Sequence, residues 1–164
     1  MMIFFNFILL VTAILMALIS GLFYAYSCSV NIGLGRLADA EYLGAMQSIN
    51  KAILNPWFFA SFIGTAIATP LSTWMSYQMD GTSMSFYLLL MASIAYLIGV
   101  FGVTVVGNIP LNESLDKFNI HTSTPEEITI QRLAFEESWN KYNLIRTLAN
   151  VLALILLLWG LIKR

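Results

Sequence analysis

An all-α, four-helix transmembrane bundle forming one domain over residues 1–164 is the fold class that this sequence predicts. Three observations predict it. Of the 164 residues, 59% are hydrophobic and only 10% charged, and the mean hydropathy of +0.77 lies well outside the soluble range. Charge-free stretches cover residues 1–35, 52–79, 81–112 and 147–162, and all but the last are long enough for a full span. Small residues recur at helical spacing inside two of them, which lets helix backbones approach closely. The expected spans are approximately 3–30, 58–77, 84–107 and 143–162.

The first span has no basic segment before it and exceeds the usual apolar core of a signal peptide, so it is expected to remain in the mature protein. Cys28 follows Ala25-Tyr26-Ser27, without the aliphatic residue expected upstream of a lipid-attachment cysteine. A packed or lipid-facing thiol is the expectation, and one cysteine forms no internal disulfide. In the loop 31–57, Tyr42, Met46, Ile49 and Ile53 recur at helical spacing while Glu41, Gln47 and Lys51 are expected to face away. This pattern predicts an amphipathic helix that lies on the interface or caps the bundle.

Asn55-Pro56-Trp57 reads as a helix entry with an interfacial tryptophan. The second span places Ser61, Thr65 and Thr69 with Gly64 and Ala68, and Pro70 is expected to kink it. Ala92, Ala95, Gly99 and Gly102 share a face of the third span. Pro110 disfavours helix at Ile109, so this span is expected to end near Asn108. Thr124-Pro125-Glu126-Glu127 carries a capping threonine, a first-turn proline and a glutamate three residues on. Nothing breaks helix from there to Lys163, which predicts one continuous helix that leaves the membrane, projects into solvent and carries Ile128, Phe135, Trp139, Tyr142 and Arg146 along one stripe, with Asn143 beside it.

Four spans put the loops 31–57 and 108–142 on one side of the membrane, opposite both termini. These segments and Arg146 hold six of the eight Lys/Arg residues and eight of the nine acids. Counting basic residues places that side in the cytoplasm, against Lys163 and Arg164 at the other end. Asn31-Ile32-Gly33-Leu34 and Asn108-Ile109-Pro110-Leu111 form a faint internal echo, as do residues 48–54 and 138–144. Chance or duplication accounts for it equally well, and either way asparagines gather at one mouth.

Arg146 opens the last apolar run, and 16 uncharged residues separate it from Lys163. Those residues span roughly 24 Å as a helix, against about 30 Å of hydrocarbon. Arg146 is therefore either drawn into the membrane edge, where an arginine marks a functional site, or it snorkels to head groups. Asn143 and Arg146 lie three apart on one face and together offer a guanidinium fork and an amide, suited to a carbonyl, phenolate or carboxylate. Trp139 and Tyr142 add flat apolar surfaces. Asn50, Asn55, Asn108 and Asn112 belong to the same side; Asn108 and Asn112 either cap the expected helix break or face a ligand.

Other chemistries are poorly supplied. His121 lies in the polar loop 119–123, and the chain has no paired histidines, no Cys-x-x-Cys, no Gly-rich phosphate loop and no carboxylate within an expected span. Haem, iron–sulfur and zinc are therefore not expected, and neither is any other cofactor. A net charge of −1 carries no nucleic-acid footprint.

Gly107-Asn108-Ile109-Pro110-Leu111-Asn112, followed by Trp139-x-x-x-Asn143-x-x-Arg146-Thr147, resembles the anthrone-oxygenase-like integral membrane family, whose bacterial members mostly carry only a domain-of-unknown-function label. Met46-Gln47-Ser48-Ile49-Asn50 and Asn55-Pro56-Trp57-Phe58 are similar to it as well, and the resemblance runs from about Gly21 to the C-terminus. Many members have Trp-Asn where this chain has Tyr142-Asn143. The resemblance implies a four-helix bundle in the bacterial inner (cell) membrane and, in fungal members, oxidation of an anthrone to an anthraquinone by dioxygen without metal or flavin. It would give Arg146, Asn143 and Asn112 the catalytic, anion-stabilising part, and Trp139, Tyr142, Asn108, Asn50 and Asn55 the substrate. No general base is identified. The expected partners are the lipid bilayer and a small lipophilic aromatic ligand. Three readings stay open: an oxygenase, a non-catalytic lipid- or ligand-binding protein or accessory subunit, and an oligomeric transporter.

Overall fold

The structure is a computed structural model and describes residues 2–163. Four helices in it are long and apolar enough to cross a membrane: Met2–Leu34, Pro56–Asp80, Met84–Lys117 and Pro125–Ile162. They comprise α1 (Met2–Ala25) continuing through a π-helical turn into α2 (Asn31–Leu34), then α4 (Pro56–Asp80), α5 (Met84–Tyr96) continuing into α6 (Ile109–Lys117), and α7 (Pro125–Ile162). Between the first two spans lies α3 (Asp39–Ala52). Each span packs on the next in sequence and α7 returns to α1, so the four close a ring. This is the architecture of an integral membrane protein.

Inside the ring, Phe5, Leu9, Met16, Leu89, Tyr96 and Leu157 form the apolar core. The outer face carries lipid-ready side chains such as Phe4, Leu18, Ile67, Met91, Leu148 and Ile155. Some polar groups in the core pair helix to helix, Thr12 with Ser72 at 3.0 Å, Thr73 with Ser93 at 2.8 Å, and Ser85 donating to the Gly160 carbonyl at 2.9 Å, while Ser61, Thr65 and Thr69 donate back to carbonyls of their own helix. The small-residue face of the third span brings it hard against α7, since a Cβ on Gly99 would stand 2.6 Å from that of Ala149. Cys28 is an exposed free thiol.

Two expectations are corrected on the loop side. The third span does not end near Asn108: it stays helical through π segments at Leu97–Gly102 and Thr104–Asn108 and runs on into α6. The π register passes the ladder forward, with Ile109 N–H donating to the Thr104 carbonyl five residues back, so Pro110 falls in the first turn of α6, where a missing donor costs little. Gln47 does not face away from the protein either; its Nε2 donates to the Leu115 and Phe118 carbonyls, both at 2.8 Å, and satisfies the C-terminal end of α6.

The final helix is one unbroken element of 38 residues, roughly 57 Å long. Its predicted box is present: Thr124 Oγ1 accepts from Glu127 N–H, and Glu127 Oε2 accepts from Thr124 N–H. Its outer half does not stand free in solvent. Phe135 and Trp139 pack with Tyr42, Leu43 and Met46 of α3 and Leu115 of α6 into a second small core, so these three helices form a cap on the bundle. Arg132 clamps the cap, with Nε donating to Glu136 and Nη1 to Asp39, both at 2.8 Å, and further bonds to the Gly35 and Leu37 carbonyls.

Candidate functional site

Between cap and bundle lies a chamber of about 260 Å³. The residue that decides its chemistry is Arg146, 6% exposed although it carries a fixed charge. Its guanidinium carbon sits 4.1 Å from the Phe23 ring centre and 5.2 Å from that of Trp139. Nε and Nη2 both donate to Asn143 Oδ1, at 3.2 and 3.0 Å. No carboxylate lies within ion-pair distance of it among the described residues. Aromatic faces and an amide dipole soften the cost of burying the cation, but they leave its charge without a counter-ion.

Asn143 stands behind Arg146 and does not line the chamber. Its Nδ2 donates to Ser27 Oγ at 2.9 Å, and Ser27 in turn meets Thr147 Oγ1 at 3.2 Å. Ser27 belongs to the π-helical turn Tyr26–Val30 that joins α1 to α2. This turn thus ties the first helix to α7 just behind the guanidinium, an arrangement typical of π-bulges near functional sites.

The remaining expected residues divide. Asn108, 1% exposed, lines the chamber, and neither its Oδ1 nor its Nδ2 has a hydrogen-bond partner among the described residues. It therefore caps nothing. Asn50 at the end of α3 also lines the chamber with its Nδ2 buried and unpartnered. Buried amides without protein partners are ordinarily satisfied by water or by a bound molecule with complementary polar atoms, and these two are placed to meet either inside the chamber. Asn112 lines the chamber too, but its Oδ1 accepts from Trp139 Nε1 at 2.9 Å and so holds the indole in place.

Tyr142 and Asn55 are not among the lining residues. The Tyr142 ring covers Gly107, where an added Cβ would meet ring carbons at 2.7 Å, so the tyrosine packs against the outside of the π segment. Asn55 caps α4, its Oδ1 accepting from the backbone of Trp57 and Phe58. The aromatic wall comes instead from Phe23 and Tyr26 on the first helix, Phe58 and Phe62 on α4, and Phe101 on the third span. Phe62 stacks on both Phe58 and Phe101, with centres 5.2 and 5.4 Å apart. The spacing of Phe58 and Phe62 was a readable signal, whereas nothing in a charge-free first helix singled out Phe23.

A second cavity of about 390 Å³ adjoins the chamber and shares Asn50, Leu54, Phe59, Ile109 and Asn112 with it. This vestibule adds polar side chains to a largely apolar lining: Gln47, Glu113 and the ion pair of Lys51 with Asp116 at 2.7 Å. Apart from Arg146, Tyr26 is the one titratable side chain lining the inner chamber. His121 lies outside both cavities, in the exposed turn before α7. No three His, Cys, Asp or Glu side chains gather as a metal site among the described residues.

The family model for anthrone oxygenase matches residues 57–156, which include Phe58, Phe62, Phe101, Asn108, Asn112, Trp139 and Arg146. The chain belongs to the anthrone oxygenase family. Comparison with curated proteins and with solved structures found no match. The family match thus spans three of the chamber's walls, while Phe23, Tyr26 and Asn50 lie outside the matched residues.

Proposed function

We propose that the chamber is an oxygenase site for a lipophilic phenolic or polycyclic substrate, an anthrone being the type named by the family. The observation that carries this reading is a buried arginine with no carboxylate partner, held between aromatic rings and facing an aromatic-walled chamber. Such a cation favours the ionised form of a bound phenol or anthrone. The enolate so formed donates an electron to dioxygen, the carbon radical and superoxide combine to a peroxide anion, and this takes back the proton released on ionisation to give a hydroperoxide. Loss of the second hydrogen on that carbon as a proton, with cleavage of the O–O bond, releases water and leaves the quinone carbonyl. Anthrone plus dioxygen thus becomes anthraquinone plus water, and both electron pairs come from the substrate. Arg146 is the anion-stabilising group, Asn143 positions it, Asn108 and Asn50 bind substrate oxygens, and Trp139, set by Asn112, packs on the ring.

A second reading, non-catalytic binding of the same kind of molecule, is favoured by one observation: no Asp, Glu, His or Lys lines the inner chamber. Dioxygen uptake and quinone formation by the purified protein with a panel of anthrones and hydroquinones separates the two. Oxygenase action predicts turnover that falls about 10²–10³-fold in Arg146→Ala, the usual effect of losing an oxyanion donor. Absence of turnover on every substrate, or equal rates in the variant, leaves the binding reading.

A further inference from the structure

The inner chamber has a side opening. Ile63 of α4 and Val105 of the third span line the chamber but not the vestibule and remain 43% exposed, while Phe59 and Ile109, 41% exposed, stand between the two cavities. They border a seam, because the backbone of α4 runs close along α5 but stands off from its π-helical continuation, which it meets through the stacking of Phe62 on Phe101. Trp57, 86% exposed at the start of α4, marks the membrane interface, and Ile63 lies roughly 9 Å beyond it along the helix, at the level of acyl chains. The other way out, through the vestibule, passes Glu113 and the Lys51–Asp116 ion pair.

Polar and apolar recognition are therefore separated in direction. The uncompensated guanidinium of Arg146 and the unpartnered amides of Asn108 and Asn50 face the chamber, while the seam offers only hydrocarbon. Resting on the ring-binding reading above, we propose that the ligand is a tailed phenolic amphiphile taken sideways from the bilayer. Its ring and oxygens occupy the chamber, and its aliphatic tail leaves between α4 and the third span into lipid. A tail in the seam exchanges one hydrocarbon surrounding for another, so its length adds little to binding. A tail that had to leave the membrane for the vestibule would lose roughly fourfold in affinity per methylene.

The test uses the full chain in phosphatidylcholine nanodiscs, with Trp57→Phe, Trp74→Phe and Trp159→Phe so that Trp139 alone reports. Quenching by butyl-, octyl- and dodecyl-1,4-benzoquinone gives a Kd for each, expressed per lipid. Lateral entry predicts values within about twofold across the series. It also predicts that Val105→Phe, which fills the seam without adding a second fluorophore, weakens dodecyl relative to butyl binding by roughly fivefold or more. A Kd that rises more than about a hundredfold from butyl to dodecyl in the parent protein, or an unchanged ratio in Val105→Phe, overturns lateral entry while leaving ring binding intact. Quenching by none of the quinones removes the ring-binding reading and lateral entry with it.

Discussion

The two ends of the bundle differ in how they hold buried polar groups, although Ser76 near the termini lacks a partner among the described residues and Asn143, Ser27 and Thr147 near the loops pair across helices. Toward the chain termini, hydroxyls pair across helices, Thr12 with Ser72 and Thr73 with Ser93, and the third span is a regular α-helix. Toward the loops, the same span turns π-helical, Asn108 has no partner, and Arg146 has no counter-ion. Paired polar groups act as glue between helices, whereas unpaired ones at a cavity keep their bonding capacity for an occupant. Asn150, buried one turn beyond Arg146 with both side-chain atoms unpartnered, marks where one regime passes into the other.

The sharpest way to break this comparison is to give Arg146 the counter-ion it lacks. Asn143→Asp places a carboxylate where the amide oxygen now accepts from Nε and Nη2. Binding of a phenolate substrate analogue, followed by calorimetry, is expected to weaken about tenfold or more, because ligand and carboxylate compete for one cation, while the thermal midpoint does not fall. Weakened binding accompanied by a lost fold would mean that Asn143 serves structure alone.

Next in size is Asn108→Leu. If the amide is kept unpaired for a ligand, its removal stabilises the empty protein by about 1–3 kcal/mol while weakening ligand binding. A lower midpoint without ligand would count against that account. At the other end the sign reverses: in a cycle of Thr73→Val and Ser93→Ala, each change is expected to destabilise, with a coupling of about 0.6 kcal/mol and no change in ligand affinity. Denaturation in mixed detergent micelles reads both.

The smallest effect concerns the cap. The hydrogen bond from Thr129 and those from Arg132 hold the Asp39 carboxyl below its ordinary value of 3.8. A carboxyl with a lower value in the folded state contributes stability that is complete above the unfolded value and is lost as pH falls through the folded one. Proteolysis of the cap should therefore speed up below about pH 4, and Asp39→Asn should flatten that dependence. The carboxylate is exposed, so solvent screening keeps the effect modest.

What could be read from the residues followed local rules. The Thr124 box, the unbroken final helix and the close face at Gly99 each depend on a short pattern, and each appears where the pattern puts it. The juxtaposition of Asn143 and Arg146 was legible for the same reason, being three residues on one helix. Long-range geometry was not. Pro110 predicts a helix end by its own sterics, and only the π register of the preceding turn lets the helix continue. Gln47 looked like a solvent residue until α6 arrived to use its amide. The aromatic walls from Phe23 and Tyr26 come from a helix that is uncharged and apolar at nearly every position, so pattern could not distinguish a cavity face from a lipid face. Tyr142 shares the stripe of Trp139 by spacing, but Gly107 draws its ring to a different surface.

The unbroken length of α7 has a mechanical consequence. Trp139 and Phe135 are seated in the cap, and Arg146 in the chamber, along one rod without a glycine or proline between them. Such a rod holds chamber and cap in one register, so a displacement of the helix itself at Arg146 carries Phe135 against Tyr42 with it.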